Sequence, residues 1–161
     1  MNDLISKISS YHLFNYLLPG CLFAFWADRI THRGFIQQNI LIGFFLYYFC
    51  GLVISRLGSL LIEPFLKYVN FLKFADYKDY IAACKRDDKI ETLSESNNMY
   101  RTLSALLVLL LPVKGYAALE TKYPQLKSWD GLVVTIALLV IFLFSYRKQT
   151  DYVVKRIEAN R

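Results

Sequence analysis

The sequence is poor in the residues and spacings from which active sites are usually built. It has two histidines, His12 and His32, which fall at opposite ends of the first apolar segment, on opposite sides of any membrane it crosses, and lack the spacing of a metal pair such as HExxH. No GxSxG elbow, glycine-rich phosphate loop or CxxC pair occurs in it. These absences exclude the common hydrolase, nucleotide-fold and redox signatures, so no enzyme, metal or cofactor is expected. The three cysteines, Cys21, Cys50 and Cys84, form no paired motif; two lie in apolar runs and one in a polar stretch, as small core residues and a free thiol would. No small-residue cleavage site follows the first apolar run, where Asp28, Arg29 and Thr31 stand instead, so a cleaved signal peptide is not expected. Internal repeats, low-complexity stretches and strand-like alternation are also missing.

Apolar surface, in contrast, is abundant. The 161 residues are 55% hydrophobic and 16% aromatic, greasier than an ordinary soluble domain. Twelve tyrosines, twelve phenylalanines and two tryptophans suit positions at bilayer interfaces. Four apolar runs stand out: Tyr11 to Ala27, Ile40 to Ile62, Leu103 to Ala118 and Leu132 to Tyr146. Each approaches the roughly 20 residues needed to cross the hydrocarbon. The expectation is an all-α integral membrane protein with four transmembrane helices.

The division expected is 1–62 for an amphipathic lead and two spans, 63–100 for a helical cytoplasmic insertion, 101–146 for two more spans and 147–161 for a tail helix. A cytoplasmic amino terminus would put 14 of the 19 lysines and arginines inside, so the distribution of charge favours both termini in the cytoplasm. In the insertion, Asp76 can cap a helix running to about Arg86, and a second helix starting at Lys89 could continue unbroken into the third span.

Function candidates lie where polar residues interrupt apolar runs. Tyr11 and Asn15 share a polar stripe on the first span, which Pro19 then loosens; the stripe suits either an interhelical hydrogen bond or a pore or gate. Gly51 and Ser55, with Gly58 nearby, follow the small-xxx-small pattern of close helix packing, within one chain or between subunits. Arg56 either snorkels to the inner interface or faces a vestibule, paired with Glu63 or Glu95. Lys85, Arg86 and Lys89 form a basic surface able to meet lipid headgroups, a nucleotide or a short nucleic acid.

The layout as a whole resembles the small multi-pass membrane proteins of bacterial phage-defence operons: a short lead into FNYLLPG (14–20), a long second span ending GLVISRLGSLLIEP (51–64) and a compact insertion running through SNNMYR (96–101). The Hailong-type channel effector is the nearer likeness and the Kiwa-type membrane sensor the second. The first resemblance implies a bacterial inner-membrane homo-oligomer, a tetramer, whose pore is held shut by a nucleic-acid product of a companion enzyme and opens during infection. A filter sequence such as TVGYG is missing, which argues against strong ion selectivity. The rival expectation is a non-conducting sensor or scaffold that recruits a cytosolic companion protein through residues 65–100.

Overall fold

The computed structural model describes residues 12–160, and these are helical with no strand among them. A π turn at Leu13–Leu17 leads into α1 (Leu18–Thr31). Next, α2 (Ile40–Leu57) passes through a second π turn, Gly58–Ile62, into α3 (Glu63–Tyr68). The insertion continues with α4 (Tyr77–Cys84), and α5 (Lys89–Lys122) runs without a break from the insertion into the third apolar run. A 3-10 turn at Pro124–Trp129 then reverses the chain into α6 (Asp130–Ala159).

Both π turns precede a proline. The backbone N–H of Leu18 bonds the Leu13 carbonyl, and that of Glu63 bonds the Gly58 carbonyl, each five residues back. A proline ring collides with the carbonyl four residues earlier in a regular helix, and widening the preceding turn relieves that collision. Pro19 and Pro64 therefore sit inside continuous helix rather than ending it. At the opposite end of α2, the Asn39 side chain accepts from the N–H groups of Leu41 at 2.9 Å and Ile42 at 3.1 Å, a standard amino-terminal cap.

Packing is tightest between α1 and α2. A Cβ added to Gly20 would lie 1.7 Å from the Tyr47 carbonyl oxygen, and one added to Gly51 would lie 1.7 Å from that of Tyr16. Only glycine lets the two backbones approach so closely. The apolar core is small: Ile54, Ala105 and Leu106, with Leu22, Phe23, Ile62, Leu109 and Leu110 against it.

Most other large apolar side chains face outward. Leu132, Val134, Ile136, Leu139 and Leu143 on α6 are each more than half exposed. Three helices are long and apolar enough to cross a membrane: Ile40–Tyr68, Lys89–Lys122 and Pro124–Ala159. An outward apolar face is a liability in water and is the normal surface of a helix in lipid. The helix from Leu13 to Thr31 does not reach the same measure among the described residues. Its apolar run is diluted by Asn15, Pro19, Asp28 and Arg29.

Candidate functional site

The site begins with a defect in the backbone. Within the second π turn the Glu63 N–H is taken by Gly58, and the next residue, Pro64, has no N–H to offer. The Ser59 carbonyl is thereby left open, and the ammonium of Lys148 on α6 donates to it at 2.6 Å. The same ammonium stands 3.6 Å from the carboxylate of Glu63, which is 6% exposed. Arg101 on α5 donates to the other Glu63 oxygen at 2.8 Å, and Lys67 reaches the carboxylate from one turn along at 3.1 Å. One buried carboxylate thus holds cations from α3, α5 and α6. A buried charge is tolerable only when paired in this way.

Directly beside this cluster lies a neutral polar knot. Thr102, wholly buried, places its hydroxyl 2.8 Å from the Asn98 carbonyl, 3.0 Å from the Asn15 side-chain oxygen and 3.2 Å from the Ser55 hydroxyl. One hydroxyl carries one proton, which suits the Asn98 carbonyl best, leaving two lone pairs for donors. Ser55 can supply one. Turning the Asn15 amide end for end supplies the other and gives its buried nitrogen the partner it otherwise lacks. The knot ties the first π turn, α2 and α5 together.

Alongside both features a cleft of about 670 Å³ opens between the second π turn, α3, the insertion, α5 and α6. Its walls include Arg56, Glu63, Lys67, Tyr77, Tyr80, Asn97, Arg101 and Lys155. The insertion closes one side by packing on α6, where the rings of Tyr77 and Tyr152 are 6.0 Å apart and Lys85 donates to Asn160 at 2.9 Å.

The far end of the molecule carries a second ion cluster of opposite sense. Arg33, in the loop between α1 and α2, pairs with Glu120 and with Asp130 at 2.7 Å, and the Tyr116 hydroxyl donates to Asp130. The hydrogen bond donated to Glu120, with the charge of both carboxylates, raises the Arg33 pKa above its already high value. Its charge is permanent at any physiological pH.

The residues expected from sequence fall into place unevenly. Tyr11 lies outside the described residues. Asn15 is 1% exposed and inside the knot, and Pro19 is buried beside the α1–α2 contact. Gly51, Ser55 and Gly58 are all buried; they face Tyr16, Thr102 and the Arg101–Ala105 segment respectively, so the chain's own helices fill this face. Arg56 is not the partner of Glu63, and among the described residues it joins no ion pair. Seven residues would put the two on one face of a regular helix, but the intervening π turn rotates them apart by roughly a third of a turn. Glu95, half-buried on α5, is not part of the Glu63 cluster either. Lys85, Arg86 and Lys89 are exposed outside the cleft.

Three central residues escaped the sequence reading: Arg101, Thr102 and Lys148. A usable signal existed. Glu63, Arg101 and Lys148 each stand within about one turn of the end of an apolar run, on the same expected side of the membrane. Charges at one depth on neighbouring helices are natural partners. Comparison with protein-family models, with curated proteins and with solved structures finds no match to this chain, so its function has to be argued from this geometry.

Proposed function

We propose that the chain is a four-span integral membrane protein with both termini in the cytoplasm, acting as a receiver: a ligand or partner engages the cleft beneath the insertion and the event passes to the spans through Glu63. The observation that carries this reading is the cleft itself, walled by the insertion on one side and by the Glu63 cluster on the other. Glu63, on α3, holds α5 through Arg101 and α6 through Lys148, so an occupant that draws away Arg101 loosens α5 from the remainder. The lysine and arginine asymmetry supports placing this end in the cytoplasm.

A second reading, a homo-oligomeric gated pore acting as an antiviral effector, draws support from α6, whose apolar window has no buried residue and is free to meet other copies. That pore needs lining residues other than Asn15 and Ser55, which are used up in the knot. Reconstitution in planar bilayers separates the two. The receiver reading expects no conductance from the wild type; unitary conductance from the wild type would overturn it in favour of the pore.

A further inference from the structure

We infer that the cleft is a binding site for a phosphate-bearing anion, a conclusion that deepens the receiver reading and takes its consequence from it. A volume of about 670 Å³ suits a small ligand or a lipid headgroup. Four cations, Arg56, Lys67, Arg101 and Lys155, line it against two carboxylates, Glu63 and Asp76. Lys67 and Arg101 are engaged by Glu63, whereas Arg56 and Lys155 make no ion pair among the described residues. The Arg101 Nε is buried without a hydrogen-bond partner, a spare donor on a guanidinium that already faces an anion. Guanidinium and ammonium groups converging on one space fit the several acceptor oxygens of a phosphate better than a single carboxylate. The rings of Tyr77 and Tyr80 on the opposite wall offer a flat apolar surface to whatever the phosphate is attached to.

The phosphate can belong to a soluble ester or to a lipid headgroup, and the test distinguishes them. The full chain, purified in a maltoside detergent that carries no phosphate, is titrated separately with ATP and with dioctanoyl phosphatidylglycerol, and bound mass is read by native mass spectrometry. Saturable binding of ATP assigns the soluble source, and saturable binding of phosphatidylglycerol alone assigns the lipid. Either affinity is expected to fall by about tenfold or more in Arg56→Gln/Lys155→Gln, a change that leaves the Glu63 cluster intact. The exposed pair Arg86→Gln/Lys89→Gln is expected to bind as the wild type does. No binding of either probe to a chain that stays helical and monodisperse overturns the assignment, as does an equal loss in the Arg86/Lys89 variant. Bilayer conductance tests the receiver reading separately: absent binding without conductance removes only the ligand, while binding with conductance removes the receiver and keeps the site.

Discussion

The two ends of this molecule solve the same problem with opposite charge. At one end a single carboxylate, Glu63, is buried among Arg101, Lys67 and Lys148; at the other a single guanidinium, Arg33, is shared by Glu120 and Asp130. Each hub gathers segments remote in sequence, and each carries a surplus of the sign opposite to its centre. What differs is water. The Glu63 side chain is 8% exposed, while Arg33 keeps 29% of its side chain accessible. In low dielectric, a hub whose central charge is deleted leaves its partners repelling one another with little solvent to relax into. In water the same deletion costs little, because solvent and salt take over. The buried hub therefore couples its helices, and the exposed one decorates a junction that the short 3-10 turn already closes.

The largest effect is expected at Gly51, one turn before Ser55 of the polar knot. Gly51→Val puts new carbon onto the Tyr16 backbone, and a loss of about 3 kcal/mol or more is expected from thermal unfolding in detergent. Glu63→Ala should cost about as much, roughly 3–5 kcal/mol, because three cations then lose their common anion. Lys148→Met removes one cation and leaves Arg101 and Lys67 on Glu63, so it should cost about 2 kcal/mol. Thr102→Val strips the knot of its hydroxyl at roughly 1–3 kcal/mol, measured the same way, and leaves Asn15 and Ser55 facing methyl groups. Arg33→Ala sits at the bottom of the scale, below about 1 kcal/mol, and its effect should shrink further as salt is raised. A salt-sensitive Glu63→Ala penalty, or an Arg33→Ala penalty as large as that of Glu63→Ala, would erase the distinction between the two ends.

Sequence pattern carried much of the fold and less of the site. The unbroken passage from Lys89 into the third apolar run was legible because no breaker stands before Pro112, and a helix beginning after Asp76 was legible from its capping residue type. Asp76 nevertheless makes no side-chain capping bond, so type alone located the start without its stabilising contact. Pro64 suits a first-turn or breaker position by its type, and it stands in the first turn of α3, where the widened turn before it absorbs the ring. The same widening hid the partners of Glu63. Periodicity counts 3.6 residues per turn, and one extra residue in a turn moves every later side chain by about 100°. Pairing of Arg56 with Glu63 was one of the alternatives the spacing allowed, whereas Arg101 and Lys148, supplied by other helices, were not anticipated as partners. The Asn15 contact was legible only as a need for some partner; that Thr102 meets it follows from the approach of α5, which no local pattern encodes.

Hydrogen–deuterium exchange of the full chain in lipid nanodiscs, wild type against Glu63→Gln, tests the central claim most directly. If Glu63 couples the cleft to the helices, exchange will quicken together in residues 63–85 and 145–159 while residues 112–135 around the Arg33 cluster stay as protected as before. A change confined to the immediate neighbours of Glu63, or one spread evenly to the Arg33 end, would contradict it.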